Sequence, residues 1–165
     1  DIEGTYNASK YLLNLGHKKI LYLGDPNINR FIGYERALTE SSIKIDSNLI
    51  LDCENTYENA YLLIRKTYEY IRYTSIVAVS DNVALGSYNA LKDLGLNIPQ
   101  DCSIIGYSDS KLASFFSLTT IAEPLQEIGK NALFLLHNTI KGLQAVPKQL
   151  LLRNSLIIRN SCTKI

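Results

Sequence analysis

The sequence of 165 residues contains no methionine and no tryptophan, and it has only two histidines and three cysteines. Cys53, Cys102 and Cys162 include no Cys-x-x-Cys pair, and their odd number argues against a disulfide framework or a zinc knuckle. We expect Cys53 and Cys102, which lie near predicted strands, to be small buried hydrophobic residues. His17 and His137 have no partner at metal-ligand spacing, so we predict structural roles for both and no metal site.

A marked excess of charge is missing as well, since 17 Lys and Arg residues face 16 Asp and Glu residues. The resulting net charge of +1 offers no basic surface for phosphate backbones, so we do not expect this chain alone to bind nucleic acid. No apolar run reaches the roughly 18 residues that cross a bilayer. We therefore expect a soluble protein with no membrane partner, and we separately interpret it as cytoplasmic. The absence of methionine and an aspartate at position 1 indicate part of a longer protein.

Known catalytic and phosphate-binding motifs are also absent. The sequence has no G-x-S-x-G nucleophile elbow, no G-x-x-x-x-G-K-[ST] loop and no G-x-G-x-x-G fingerprint. We accordingly predict no catalytic residue and no cofactor. A small enzyme of the Rossmann or flavodoxin type, which would need a phosphate loop, is the least favoured function.

What the sequence does contain is a regular alternation of two hydrophobic periods. Short apolar runs typical of buried strands alternate with apolar residues at helical spacing. This alternation predicts an α/β fold with a mostly parallel sheet covered by helices on both faces. The run at 118–121 arrives without a full helix before it, which is compatible with a crossover to a second sheet. Strands are predicted at 20–24, 48–52, 75–79, 102–107, 118–121, 149–152 and 155–158, and helices at 8–15, 31–41, 57–72, 81–94 and 124–142.

Polar residues follow four of the predicted strands. The carboxyl ends of parallel strands share one edge of a sheet, and ligands bind beyond that edge where the strand order switches. The sequence therefore predicts a ligand cleft. Its candidate residues are Arg30, Ser80, Asp81, Ser108, Asp109 and Glu123.

These residues also have structural interpretations. Ser80 or Asp81 can cap a helix by accepting hydrogen bonds from its first turn, and Asp109 can cap the turn that follows it. Glu123 can interact favourably with the positive N-terminus of the next helix. Arg30 fits a structural role least well, because it lies in a predicted loop between apolar elements.

Five segments, taken in order, resemble the LacI/GalR family of transcriptional regulators. Each segment is a weak signal alone, but their shared order covers nearly the whole chain. The segments are Leu15-Gly16-His17-Lys18-Lys19-Ile20; Arg30 with Gly33-Tyr34 and Ala37-Leu38; Ser80-Asp81 with Ala84-Leu85-Gly86; Leu94-Gly95-Leu96 with Ile98-Pro99, Asp101 and Ser103-Ile104-Ile105-Gly106-Tyr107; and Leu118-Thr119-Thr120-Ile121 with Pro124, Ile128-Gly129 and Ala132.

The resemblance implies a sensor domain with the fold of type I periplasmic binding proteins, in which two α/β subdomains flank a cleft for a small effector. By this interpretation, residues 1–45 end an incomplete first subdomain, 46–117 form the second, and 118–165 hold the crossover and closing elements. Family members bind operator DNA as dimers through an N-terminal helix-turn-helix. That segment is not in this sequence, so DNA would be a partner only through a missing domain.

The resemblance also assigns site residues. Arg30 matches the arginine that contacts the effector, and its planar fork suits a pair of sugar hydroxyls or a carboxylate. Asp81 matches the aspartate of an Asn-Asp or Ser-Asp pair, and Ser80 matches the residue before it. Glu123 falls at a position that is often glutamine.

Two departures from the family pattern concern the effector. The family usually has an aspartate where this sequence has Ser108, and here the acid is displaced to Asp109. Asn55 falls where many members place an aromatic ring against the ligand. We therefore predict an effector that is a sugar or related metabolite, without assigning a common hexose.

The resemblance further implies a homodimer. The family pairs along a face for which this chain offers Leu85, Leu112, Phe115 and Phe116. The leading prediction is thus a non-enzymatic effector-sensing domain of a bacterial transcription regulator. The alternative is a solute-binding protein of a sugar transporter, which shares the fold.

Overall fold

The computed structural model describes residues 1–142 and 149–165, and these residues form a sheet of six strands with six α-helices around it. The strands are β1 (Ile20–Leu23), β2 (Ile50–Leu51), β3 (Ser75–Ala78), β4 (Ser103–Tyr107), β5 (Thr119–Ala122) and β6 (Ser155–Ile157). The helices are α1 (Ile2–Asn14), α2 (Asn29–Glu40), α3 (Tyr57–Thr67), α4 (Asp81–Asp93), α5 (Lys111–Phe115) and α6 (Leu125–Lys141), with a 3₁₀ turn at Ser47–Leu49.

The strands lie in the order β2-β1-β3-β4-β5-β6. The first five are parallel, and β6 pairs antiparallel with β5. The chain first leaves β1 toward β2 and then adds β3 on the other side of β1, so the order reverses between β1 and β3. The predicted α/β class and mostly parallel sheet are confirmed. The reversal predicts a ligand crevice beyond the carboxyl ends of β1 and β3.

The core lies along the central strands. Every residue of β1, β3 and β4 is buried, as expected for parallel strands that are covered on both faces. Helix α1 packs against α2, and α3 packs against α4. Together with the sheet and its connecting loops, these four helices form what we call the sheet body.

The structure corrects the expected division of the chain. Strand β1, which was assigned to a first subdomain at 1–45, pairs with both β2 and β3 of the segment at 46–117. Strand β5 pairs with β4 in parallel and therefore does not open a second sheet at residue 118. Neither predicted boundary separates two sheets, because backbone hydrogen bonds of one continuous ladder cross both.

Several element predictions also need correction. Residues 149–152 form no strand, so β6 alone closes the sheet among the described residues. Helix α3 ends at Thr67 instead of residue 72, and the five-residue helix α5 was not predicted. A helix that short offers too few turns for a hydrophobic period to be detected.

Helix α6 differs from the other long helices in its burial. Its apolar residues repeat at the predicted helical spacing, but Leu133 is 69% exposed and Ile140 is 75% exposed. Asn138 is its one buried residue. Within residues 1–142 and 149–165, no helix has both the length and the apolar character that crossing a membrane requires.

Candidate functional site

The carboxyl ends of β1, β2 and β3 surround an open recess of about 530 Å³. It lies at the reversal of strand order, where the topology predicts a ligand. The recess combines three carboxylates, two side-chain amides and one guanidinium. Its lining residues are Asp25, Asn27, Ile28, Arg30, Asp52, Cys53, Glu54, Asn55 and Val79.

The loop after β1 approaches β3 very closely. Gly24 has a φ of +150°, and a Cβ built on it would lie 2.0 Å from Val79 Cγ1, so only glycine fits there. Asp25 then accepts hydrogen bonds from both the backbone and side-chain nitrogens of Asn27, at 2.8 and 2.9 Å. This turn fixes the β1 side of the recess.

Arg30 lies in the first turn of α2 and connects three parts of the strand-end edge. Its guanidinium stacks over the Tyr107 ring, 3.8 Å from the centroid. Nη1 donates to the backbone oxygen of Val79, and Nε lies 3.4 Å from Asp1 Oδ1. Burial raises the pKa of the Tyr107 phenol, while the nearby Arg30 acts in the opposite direction. Arg30 therefore lines the recess and also holds the ends of β3 and β4 together, a structural role that the sequence did not indicate.

Ser80 and Asn55 come together on the other side of the recess. The Ser80 hydroxyl caps α4 by accepting a hydrogen bond from Val83 N at 3.3 Å, which confirms the capping interpretation. The same hydroxyl donates to Asn55 Oδ1. Asn55 is exposed and lines the recess, so it remains a ligand candidate.

The prediction that Asp81 contacts the effector is not supported by its surroundings. Its side chain is buried, and both oxygens accept hydrogen bonds from the chain itself, Oδ1 from Thr120 Oγ1 and Oδ2 from Ser110 N, each at 2.6 Å. A Cβ added at Gly106 would lie 2.3 Å from Asp81 Oδ1, so the glycine makes room for the carboxylate. Asp81 joins α4 to β5 and to the loop after β4.

The structure gives Asp109 a partner other than the predicted helix cap. It does not cap α5, because Ser110 Oγ accepts the capping hydrogen bond from Ala113 N at 3.2 Å. Instead, Asp109 Oδ1 accepts a charge-assisted hydrogen bond of 2.6 Å from Nη2 of Arg159, a residue that sequence analysis did not identify. No short-range pattern connects two residues 50 positions apart, so the sequence alone offered no signal for this pair.

Ser108 and Glu123 follow β4 and β5 at the same edge, as predicted, and both are partly exposed. Neither lines the recess. Sequence analysis also missed Asp52 and Glu54 after β2. Applying the rule for strand ends to the predicted strand at 48–52 would have found them.

The cysteines and histidines behave largely as expected. Cys53 and Cys102 are buried, and burial raises the pKa of the Cys53 thiol to about 11, so it is protonated at neutral pH. His17 is buried between Thr74 Oγ1 at 2.9 Å and the backbone oxygen of Thr163 at 3.0 Å, which confirms its structural role. His137 is exposed on α6. The part of the chain that the structure describes contains no cluster of three potential metal ligands.

One of the four predicted dimer residues is misplaced. Leu85 is only 3% exposed and belongs to the core of the sheet body, so it is not available to a partner. Leu112 and Phe115 are 54% and 83% exposed, respectively. Phe116 packs edge-on against Phe115 and against Tyr88, with ring centroids 5.5 and 5.7 Å apart. We call Leu112, Phe115, Phe116 and Tyr88 the α5 patch.

Comparisons with known proteins agree with this architecture. The family described as "periplasmic binding protein-like domain" matches residues 9–162. The chain is 37% identical over 147 residues to the transcriptional repressor PurR of Vibrio atlanticus, covering 84% of this chain and 44% of the repressor. It is 36% identical over 166 residues to the ribose operon repressor of Haemophilus influenzae, covering 96% and 50%. The chain thus spans about half the length of these relatives.

Among solved structures, a LacI family transcriptional regulator from Enterococcus faecium with bound ribose superimposes with a TM-score of 0.86. The two sequences are 29% identical, and the match covers 100% of this chain and 64% of that one. The family match, the repressor relatives and this superposition agree on one family. The chain belongs to the periplasmic binding protein-like domain family, in the branch formed by LacI-type transcription regulators.

Proposed function

We propose that the chain is the ligand-sensing domain of a DNA-binding transcription regulator and that it acts without catalysis, in the cytoplasm. The observation that carries this proposal is the polar recess at the reversal of strand order, in a chain of the LacI-type branch. The repressor relatives favour a regulator over a transport protein.

The lining of the recess suits a neutral ligand with several hydroxyl groups. The carboxylates of Asp25, Asp52 and Glu54 accept hydrogen bonds, while the amides of Asn27 and Asn55 can both accept and donate. A sugar presents donors and acceptors at adjacent atoms and can use such a mixed set. Ribose, which is bound in the Enterococcus faecium regulator, is therefore the first probe to test.

Regulation would follow from a difference in affinity between two conformations. A ligand that contacts this recess and a second subdomain favours the closed arrangement and shifts the population of the attached DNA-binding domains. Such coupling typically amounts to about 1–3 kcal/mol. The exposed α5 patch supports a homodimer, which would place two sensing domains in one regulator.

Ligand binding can be tested by titrating D-ribose, with D-glucose in parallel, into the full-length protein and measuring heat and thermal unfolding. A ligand at 100 times its Kd should add about 2.7 kcal/mol of stability. Glu54→Gln should weaken binding about tenfold by removing a charged acceptor. Glu58→Gln is the matched control, because Glu58 is also exposed but does not line the recess. Equal affinities of the two variants, or no stabilisation by either sugar, would count against this site.

A further inference from the structure

The loop after β4 has an unusual backbone. Ser108 has a φ of +113° and Asp109 a φ of +51°, so two consecutive residues other than glycine lie in the left-handed region. L-amino acids rarely adopt these angles, because Cβ then approaches the backbone too closely. A conformation of this kind persists only where surrounding contacts hold it in place.

Hydrogen bonds from the loop's backbone amides to residues of β5 and α4 hold the loop in place. Ser108 N donates to the backbone oxygen of Ile121 at 2.7 Å, and Ser110 N donates to Asp81 Oδ2 at 2.6 Å. Asp109 N has a longer contact of 3.4 Å to Thr120 Oγ1. The middle residue of the loop is therefore the one least well held by its backbone.

Arg159 holds the middle residue of the loop by a hydrogen bond to the side chain of Asp109. Its backbone nitrogen donates to Thr119 Oγ1 at 3.0 Å, and Nη1 donates to the Leu118 backbone oxygen at 2.8 Å. With Nη1 and the main chain fixed on β5, Nη2 donates to Asp109 Oδ1 at 2.6 Å. Both side chains are partly buried, with 21% of Arg159 and 30% of Asp109 exposed, so water screens this pair less than a surface pair.

We propose that Arg159 is a positioning residue for the ligand edge, by which we mean the carboxyl ends of β1 to β5 and the loops that follow them. It holds Asp109, and through it Ser108, in the left-handed conformation and neutralises the carboxylate that follows β4. The strand-end edge beside the recess then carries the uncharged side chain of Ser108 instead of a free carboxylate. The relevance to ligand binding rests on the function proposed above, whereas the role in the loop conformation does not.

Hydrogen exchange of backbone amides in the full-length protein measures this role directly. Arg159→Gln and Asp109→Asn each remove the charged hydrogen bond, and we expect both to accelerate exchange at residues 108–110 by about tenfold or more. Arg159→Lys keeps the charge but loses the two-pronged geometry, so its effect should be intermediate. Arg153→Gln is the control, since it removes an exposed arginine from the same C-terminal segment.

The pattern of exchange along the chain decides between positioning and general stabilisation. The proposal expects acceleration at 108–110, with residues 80–83, at the start of the neighbouring helix α4, unchanged. Unchanged exchange at 108–110 in Asp109→Asn would overturn it, and so would a uniform acceleration across the sheet body. If Arg159→Gln does not fold, Asp109→Asn gives the same test without disturbing the contacts of Arg159 to β5.

Titration with D-ribose separates this inference from the proposed function. If the wild type binds ribose, Arg159→Gln should weaken binding by about tenfold or more while Arg153→Gln leaves it unchanged. Loop acceleration without a change in affinity would overturn the assignment to the ligand edge. If the wild type binds no ribose, the ribose form of the proposed function fails, and the exchange data alone decide whether Arg159 positions the loop.

Discussion

The sheet body and helix α6 have equally clear hydrophobic patterns but opposite burial. Leu21, Ile76 and Ile104 of the sheet body are completely buried, whereas Leu133 and Ile140 of α6 are mostly exposed. The α6 sequence nevertheless forms a regular helix of 17 residues that ends at Gly142 with a φ of +64°. The comparison shows that hydrophobic periodicity determines which face of a helix is apolar, while the surrounding chain determines whether that face is buried.

The largest expected difference between the two regions is in core packing. Leu21→Ala should lower the free energy of unfolding by about 2–5 kcal/mol, because it leaves a cavity among buried strands. Leu133→Ala makes the same chemical change on α6 and should cost less than about 0.5 kcal/mol in the isolated chain. Urea unfolding followed by circular dichroism measures both. Similar losses would mean that the apolar face of α6 is covered in solution.

Within the sheet body, buried and exposed carboxylates should differ in how much they contribute to the free energy of unfolding. Asp81→Ala should cost about 1.5–3 kcal/mol, because Thr120 and Ser110 lose hydrogen bonds to a charged acceptor. Asp52→Ala, at an exposed position of the recess, should change stability by less than about 0.5 kcal/mol. Urea denaturation compares the two directly. An unchanged free energy of unfolding in Asp81→Ala would show that the hydrogen bonds of Asp81 to Thr120 and Ser110 are not needed for the fold.

Substitution of an exposed aromatic residue tests whether the α5 patch forms a dimer interface. Phe115→Ala should weaken dimerisation of the full-length protein by more than about 1 kcal/mol, because exposed aromatic residues often dominate interfaces. Tyr70→Ala is the control, since Tyr70 is 82% exposed outside the α5 patch. Analytical ultracentrifugation over a concentration series gives both dissociation constants. Equal constants for the two variants would remove the α5 patch from the interface.

The smallest expected effect concerns the two histidines, one in each region. Burial lowers the pKa of His17, so the unfolded chain binds a proton more readily than the folded one near pH 6.5. Stability from this residue is present above that pH and is lost on acidification toward the lower pKa of the folded state. Thermal unfolding at pH 7.5 and 5.5 should therefore show a drop of a few degrees in Tm that His17→Asn reduces. His137→Asn, at an exposed position of α6, is the matched control.

Strand and helix positions could largely be predicted from the sequence, because local periodicity and glycine stops determine them. The strand ends at Ser80 and Ser108 were correctly placed on one edge for the same reason. The roles of Asp81 and Asp109 could not be predicted, since both accept hydrogen bonds from residues at least 29 positions away. The division into subdomains failed because chain order does not reveal that β1 lies between β2 and β3.

The two outer strands of the sheet have a consequence for how copies of this protein can meet. β2 has two residues and β6 has three, so each border exposes only a short row of unpaired backbone groups. Long uncovered borders serve as templates on which other chains add strands, a common start of aggregation. This sheet offers too short a template for that process. For any association between copies we therefore expect contacts through side-chain surfaces, which single substitutions can alter without disturbing the backbone ladder.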